Sequence, residues 1–221
     1  MNGPDGRPEW CVRLASEDHA RAIAEINVAA WRAAYAGTLP GKLLDEMSAE
    51  ELEREWRTYL HNAESSDERL WVVLGDGRVV GYARTGPARD GDEALRLTGE
   101  IFGFYVHPES WGRGAGAALM DTALDDLAGR GFDTATLWVA TANRRARAFY
   151  EHLGWHADGR DDKPFHGAPQ LRYRRSLAPE TQSGSDGDAR VTGSMGADEG
   201  PRHRASVRGR DPAVARPRRR R

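Results

Sequence analysis

The stretch from Gly99 to Met120 constrains the fold most strongly, because it joins an apolar, aromatic run to a glycine-rich turn and then to a run of helix-forming residues. The run from Ile101 to Val106 is typical of a buried strand. After the turn, apolar residues recur at helical spacing: Leu119, Met120, Ala123, Leu124 and Leu127. Where a strand leads through a glycine loop into a helix, unpaired backbone N–H groups and the positive end of the helix dipole converge. The sequence therefore predicts a phosphate site in this loop.

Two other nucleotide-binding loops share some of these letters. The segment from Gly112 to Ala117 fits the pattern G-x-G-x-x-A of a dinucleotide-binding fold, but that pattern follows its strand directly, and here five residues intervene. That fold also places an acidic residue after the next strand, whereas the next strand here ends in Val139, Ala140 and Thr141. A Walker loop requires Gly-Lys-Ser/Thr, which this loop lacks. The spacing argues against both.

A second pattern lies downstream, over residues 143–155. Together the two segments resemble the GCN5-related N-acetyltransferase (GNAT) superfamily. The acetyl-CoA motif of that family, Q/R-x-x-G-x-G/A, lies over Trp111 to Gly116, and its N-x6-Y element lies over Asn143 and Tyr150, followed by the pair Gly154-Trp155. The resemblance covers about residues 10 to 177. Trp111 stands where the family prefers Gln or Arg. Backbone amides hold most of the pyrophosphate, so we expect this departure to alter loop packing without abolishing binding.

The resemblance implies an α/β (α+β) fold with a mixed, mostly antiparallel sheet of about six to seven strands, flanked by helices. It implies a splayed, bulged cofactor strand, and Gly103 suits such a bulge. It further implies an enzyme that moves an acetyl group from acetyl-CoA to a primary amine of a small molecule or protein by direct transfer. Acetyl-CoA is then a co-substrate, no metal is expected, and the chain is expected to be a monomer or homodimer.

The resemblance also assigns residues to the cofactor. The expected cofactor-binding residues are Phe104, Tyr105, Val106, Arg113, Gly114, Ala115, Gly116, Ala117, Asn143 and Tyr150. The N–H of Tyr105 or Val106 is the candidate donor to the thioester oxygen. Tyr150 is the candidate general acid, because a phenol stays protonated at neutral pH and can supply a proton to a leaving thiolate. A tyrosine packed in the core is the alternative interpretation of Tyr150.

Glu100 is the candidate general base. It lies six residues before Val106, where histone-acetylating members of the superfamily carry a base glutamate. Strand alternation places Glu100 on one face with Phe102, Phe104 and Val106, provided that no bulge intervenes. A solvent-exposed carboxylate with proton relay through water is the alternative. His107 and His19 are lesser candidates.

Trp31 and Tyr35 are the candidate acceptor-binding residues, since related enzymes use this region as a wall of the acceptor site. Packing of these rings under a loop is the alternative. The surrounding pattern predicts a strand over Trp10 to Leu14, a helix capped by Ser16, a turn over the AGTLPG segment, and a second helix capped by Ser48.

The rest of the pattern completes the sheet. It predicts a hairpin of strands 70–74 and 78–84, an exposed loop over 85–98, a strand over 134–139, a short helix over 144–153 and two final strands, 155–157 and 169–177.

Composition predicts three parts and a cytoplasmic location. Residues 1–9 are expected to be a flexible N-terminus, 10–178 the acetyltransferase domain, and 179–221 a disordered, Arg-rich tail. The lone Cys11 excludes a disulfide framework and fits a reducing compartment. No apolar run reaches membrane-spanning length and no signal peptide is recognised, so no membrane partner is expected.

Two other functions stay open at this point. One is a non-catalytic acyl-CoA-binding sensor, which would keep the glycine loop and dispense with Tyr150. The other is nucleic-acid binding, expected to be weak and confined to the basic tail, whose last four residues are all Arg. A solvated tail with no partner is the simpler interpretation of that cluster.

Overall fold

The computed structural model describes residues 9–63, 67–89, 97–161 and 164–177. The expectations for residues 1–8 and for the tail from 179 onward fall outside the described residues. Within the described part, no helix is long and apolar enough to cross a membrane. The same part contains no group of three His, Cys, Asp or Glu side chains that could hold a metal ion.

Seven strands of the described residues form one sheet, in the order β1-β2-β3-β4-β5-β7-β6. The strands are β1 (Cys11–Leu14), β2 (Arg69–Gly75), β3 (Arg78–Pro87), β4 (Thr98–Val106), β5 (Thr134–Ala140), β6 (His156–Ala157) and β7 (Gln170–Ser176). The β4–β5 pair is parallel and every other pair is antiparallel. This confirms the predicted mixed, mostly antiparallel sheet flanked by helices.

In the described part of the chain, five α-helices flank the sheet. They are α1 (Ala20–Tyr35), α2 (Gly41–Asp45), α3 (Ala49–His61), α4 (Ala115–Gly129) and α5 (Arg144–His152). Apolar residues of α1 and α3 bury one face of the sheet, and those of α4 bury the other together with Tyr150 of α5. Short α2 begins at Gly41, the last residue of the AGTLPG segment predicted as a turn, and continues to Asp45. Ser16 precedes a 3-10 turn, Glu17–His19, rather than α1 itself.

Local sequence explains several boundaries. The β2–β3 hairpin turns at Asp76 and Gly77, whose φ angles are 50° and 74°, as expected for an Asp-Gly turn of type I′. Ser48 caps α3, because its side chain accepts a hydrogen bond from the Glu51 N–H at 3.4 Å. These two features were predicted and are confirmed.

The expected exposed loop over 85–98 is wrong at both ends. β3 continues to Pro87, and β4 begins at Thr98. Thr85 is buried, and its hydroxyl donates to Asp126 Oδ2 at 2.8 Å. The strand can therefore continue through the polar Thr85, because its hydroxyl group is hydrogen-bonded to the buried carboxylate of Asp126 in α4.

Close packing fixes where α4 starts. A Cβ on Gly99 would lie 2.6 Å from Leu127 Cδ2, so the absence of a side chain at Gly99 lets α4 approach β4 closely. Leu119, Met120 and Leu127 are fully buried in the same cluster as Ile101. This packing sets the N-terminus of α4 beyond the C-terminal end of β4.

Candidate active site

β4 separates from β5 halfway along its length. The two strands pair from Thr98 with Thr134 to Ile101 with Leu137, and the pairing ends there. β4 nevertheless continues to Val106, and β5 continues to Ala140. The two strand ends therefore diverge and leave a cleft between them.

A β-bulge lies at the point of divergence. Across the β3–β4 pair, Thr85 faces Ile101 and Arg84 faces Gly103, so Phe102 is an extra residue. Because a bulge reverses the alternation beyond it, Ile101, Phe104 and Val106 all pack in the cluster on the α4 side. The bulge expected near Gly103 is present one residue earlier.

The register also decides which backbone groups face the cleft. The His107 N–H donates to Val80 O at 2.7 Å, which makes these two residues a hydrogen-bonded pair. By alternation Tyr105 faces Tyr82 in such a pair, whereas the N–H and C=O groups of Phe104 and Val106 point away from β3. Of the two amides expected to serve as the thioester donor, only that of Val106 is directed toward the cleft.

The glycine loop leads directly into α4. Gly112 and Gly114 have φ angles of 73° and 97°, a region that side-chain-bearing residues rarely adopt. The first hydrogen bond of α4 runs from the Ala118 N–H to Gly114 O at 3.1 Å. The N–H groups of Ala115, Gly116 and Ala117 therefore precede the helical ladder and are available to an anion.

Trp10 supports this loop from the side. Its indole N–H donates to Arg113 O at 3.0 Å, and a Cβ at Gly114 would lie 3.1 Å from the same nitrogen. A Cβ at Gly116 would lie 3.3 Å from Phe149 Cζ. Glycine at both positions thus allows the loop to pack between the ring of Trp10, which precedes β1, and the ring of Phe149 in α5, while its amides stay outward.

One cavity of about 770 Å³ connects the loop, the cleft and the end of α1. Of the expected cofactor residues, those that line it are Phe104, Tyr105, Val106, Gly114, Gly116, Ala117, Asn143 and Tyr150. Arg113 and Ala115 do not line it: Arg113 is exposed, and the Ala115 side chain is buried in the core. The structure therefore brings both sequence motifs to the same cavity.

Tyr150 lines this cavity and is nine-tenths buried. Its ring lies 5.5 Å from that of Phe149, 6.3 Å from that of Phe104 and 6.2 Å from that of Trp155. Burial, and then the nearby Tyr35 phenol, raise the pKa of Tyr150 well above its ordinary value. The phenol is therefore held in its protonated form. Asn143 Oδ1 accepts from the Ala146 N–H at 3.1 Å and caps α5, as predicted.

The two expected acceptor residues differ in their surroundings. Tyr35 lines the cavity, and burial raises its pKa to about 12, although a hydrogen bond with Tyr105 opposes this. Trp31 is fully buried and does not line the cavity; its ring packs against those of Tyr35 and Phe165, at 5.5 and 5.0 Å. Trp31 thus supports Tyr35 from behind.

Glu100 lies apart from the cavity lining. Its carboxylate accepts from the Arg89 N–H at 3.1 Å and lies 3.8 Å from Arg89 Nε. Because the bulge follows it, Glu100 faces the side of the sheet opposite Phe104 and Val106. Strand alternation predicted Glu100 on the same face as Phe104 and Val106 only if no bulge intervened. The bulge is present, so Glu100 lies on the other face.

The two histidine candidates also lie outside the lining. His19 Nδ1 bonds to Ser16, at 2.9 Å from its backbone N–H and 3.0 Å from its hydroxyl. His107 Nδ1 accepts from the Glu109 N–H at 3.4 Å. Both rings therefore engage local turns.

Sequence reasoning missed several lining residues. These are Phe102 and Trp138 in the cleft, together with Arg144, Arg145 and His152 on α5. The spacing of Arg144 and Arg145 after Asn143 is visible in sequence, but their direction depends on how α5 docks. Trp111 was noted only as a departure, yet its indole N–H donates to Val106 O at 2.8 Å.

Two known proteins are similar in sequence to parts of this chain. A mycothiol acetyltransferase of Beutenbergia cavernae is 47% identical over 76 residues, which cover 30% of this chain and only 26% of that protein. A probable N-acetyltransferase of Mycobacterium tuberculosis is 29% identical over 174 residues, which cover 76% of this chain and 95% of that protein.

Solved structures share the fold. A PaiA N-acetyltransferase from Thermoplasma acidophilum, in complex with coenzyme A, aligns with a TM-score of 0.59 at 17% identity over 74% of this chain and 98% of its own. The family model described as the acetyltransferase (GNAT) family matches residues 20–155, a span that contains the splayed strand, the glycine loop and Tyr150. The chain therefore belongs to the acetyltransferase (GNAT) family.

Proposed function

We propose that this protein is an N-acetyltransferase that moves an acetyl group from acetyl-CoA directly to a primary amine. The observation that carries the proposal is the single cavity that runs from the amides at the start of α4, along the splayed half of β4, to Tyr150 and Tyr35. Such a cavity suits a long ligand with a phosphate at one end and a reacting group at the other.

The residues of the loop fit a pyrophosphate. Left-handed φ angles at Gly112 and Gly114 turn the chain so that the first amides of α4 are directed outward. The Phe104 N–H and C=O groups are directed into the cleft and suit the amides of a pantetheine arm. Asn143 uses Oδ1 for its helix cap, which leaves its side-chain NH2 group for the same arm.

Val106 is our candidate for the electrostatic step. Its N–H points into the cleft, where it would donate to the thioester oxygen as negative charge develops there. The Trp111 indole already donates to the carbonyl of Val106, so this end of the strand is held in place. A donor fixed before the reaction costs no reorganisation during it.

Tyr150 is our candidate general acid. Its raised pKa keeps the phenol protonated throughout the neutral range, so it can donate to the leaving sulfur. The same apolar surroundings disfavour a thiolate as well as a phenolate, so burial raises the pKa of the departing thiol together with that of Tyr150. Phe149 and Trp155 hold the ring in place on either side.

Loss of the amine proton does not require a carboxylate in the cavity. Glu100 is paired with Arg89 and faces away from Phe104, so we propose that Glu100 positions the start of β4. The amine would then enter uncharged, its nitrogen would lose a proton to water after attack on the thioester, and Tyr150 would regain a proton from water. Tyr35, Phe102 and Trp138 provide the aromatic acceptor end of the cavity. The similarity to a probable N-acetyltransferase of Mycobacterium tuberculosis supports an amine acceptor.

The test is release of free thiol from acetyl-CoA in the presence of a panel of small amines and N-terminal peptides, with products identified by mass. We expect turnover with at least one amine and a covalent gain of one acetyl group. Tight binding of acetyl-CoA with no turnover across the panel would instead indicate a sensor.

Tyr150→Phe tests the acid directly. The variant keeps the ring but removes the proton, so we expect kcat to fall by about 100-fold while the Kd for acetyl-CoA changes by less than about twofold. Full turnover in this variant would remove Tyr150 from the mechanism. Phe149→Leu, a change beside it that keeps the phenol, serves as the packing control.

A further inference from the structure

Trp111 forms a bridge between the splayed strand and the glycine loop. Its indole N–H donates to Val106 O at 2.8 Å, and the next residue, Gly112, turns the chain with a φ of 73°. The ring is half-buried and lines the cavity. The hydrogen bond therefore fixes the orientation of a large flat surface where β4 ends and the loop begins.

Arg145 lies against this surface. Its guanidinium carbon is 4.4 Å from the centroid of the Trp111 ring, a distance typical of a cation–π contact. Arg145 is in the first turn of α5, is exposed and also lines the cavity. The contact joins α5 to the loop across the cavity and holds a long, flexible side chain in one orientation.

We propose that Trp111 is a platform that holds Arg145 across the cavity from the first amides of α4, so that the guanidinium binds the pyrophosphate of coenzyme A from the opposite side. Arg145 would supply charge that the loop itself lacks, since Arg113 points to solvent and does not line the cavity. Trp111 is then a positioning residue that acts through Arg145. The proposal rests on the proposed function above.

The location favours the pyrophosphate over the 3′-phosphate of coenzyme A. Trp111 is bonded to Val106, whose backbone faces the pantetheine arm, and it directly precedes the loop that suits the pyrophosphate. An arginine stacked on this ring is therefore near the junction of arm and pyrophosphate. A planar guanidinium can donate two parallel hydrogen bonds to phosphate oxygens.

The experiment is a double-mutant cycle on binding, measured by calorimetry with coenzyme A and with dephospho-CoA, which lacks the 3′-phosphate. We expect Arg145→Ala to raise the Kd by about tenfold with either ligand. In a Trp111→Gln background the same change is expected to raise it by less than about threefold, because the guanidinium is no longer held. Trp111→Phe keeps a ring face but loses the indole N–H that orients it, so it should retain part of the Arg145 penalty, more than Trp111→Gln does.

Controls separate this contact from net charge and from folding. Arg54→Ala removes one positive charge at an exposed position of α3, as Arg145→Ala does on α5. It should leave the Kd for coenzyme A within about twofold of the wild-type value. Thermal midpoints show whether the Trp111 variants are folded, and the Arg145 variant tests the phosphate contact independently of them.

Each other outcome is decisive. If the effects of Trp111→Gln and Arg145→Ala on the binding free energy were additive, Trp111 would not act through Arg145 and the proposal would be refuted. A penalty that vanishes with dephospho-CoA would place Arg145 on the 3′-phosphate and overturn the pyrophosphate contact. Failure of the wild-type protein to bind coenzyme A would refute the proposed function itself, whereas normal wild-type binding with no Arg145 penalty refutes only this inference.

Discussion

The two halves of β4 share one backbone but differ in their neighbours. From Thr98 to Ile101 the strand pairs with β3 on one side and β5 on the other, whereas from Phe102 to Val106 only the β3 pairing continues. In the first half the backbone groups hold the sheet together. In the second half alternate groups face a cavity and are available to a ligand. The difference shows how a fold can release polar groups for binding by ending a strand pair early.

The glycine loop begins where the second half of β4 ends, and it also directs backbone groups to the cavity. A substitution in this loop should have the largest effect on coenzyme A binding. Gly114→Glu places a side chain where φ is 97° and where a Cβ would lie 3.1 Å from Trp10 Nε1. Strain and repulsion of phosphate by the carboxylate should raise the Kd for coenzyme A by at least about 100-fold. Calorimetry measures this directly.

The matched control is Gly77→Glu in the β2–β3 turn. Its φ of 74° imposes similar backbone strain, but nothing lies within 4 Å of the new Cβ and the site is outside the cavity lining. Binding should be unchanged there. Retention of coenzyme A binding by the Gly114 variant would show that the phosphate site is misplaced.

A pair of substitutions compares the two halves of β4 itself. Gly99→Ala introduces a Cβ only 2.6 Å from Leu127 Cδ2, so overpacking should lower the free energy of unfolding by about 1–3 kcal/mol with little change in kcat/KM. Phe104→Ala, in the second half, removes a cavity wall and should lower kcat/KM for acetyl-CoA by about tenfold. Denaturant unfolding and steady-state kinetics on both variants give the comparison. Similar kinetic losses in the two would contradict the division of the strand.

The smallest effect is expected at Glu100, which lies just before the bulge. Glu100→Gln should keep kcat within about threefold if the carboxylate only positions Arg89, whereas loss of a general base would lower kcat by about 100-fold or more. The pH profile distinguishes the cases, since a base would contribute an acidic limb that the Gln variant lacks. A large loss together with a lost limb would restore Glu100 as the base.

Local sequence patterns predicted much of the site, because several of its features depend only on the backbone preferences of a few neighbouring residues. The glycines at 112 and 114 take left-handed angles, Asn143 caps α5, and the Asp-Gly pair turns the β2–β3 hairpin. Each depends on a few neighbouring atoms, so the residue types alone indicate the geometry. The family motifs likewise predicted that the glycine loop and Tyr150 share one site, and residues of both line the same cavity.

Other features depended on contacts between distant segments. Alternation predicts Glu100 on the face of Phe104 only without a bulge, and the extra residue, Phe102, is defined by the register with β3. Trp31 and Tyr35 are neighbours on one helix, yet only Tyr35 reaches the cavity. The loop expected from residue 85 is strand because Asp126 of α4 satisfies Thr85.

The amino-acid sequence by itself determined the family, the glycine loop at the start of α4 and the capped helix that carries Tyr150, because these depend on short-range backbone preferences and fixed spacing. Only the tertiary structure decided that β4 leaves β5 after Ile101, that Val106 rather than Tyr105 turns its amide to the cleft, and that Arg145 lies on Trp111. Strand register and helix docking are set by packing between segments far apart in the chain, and no local pattern encodes them.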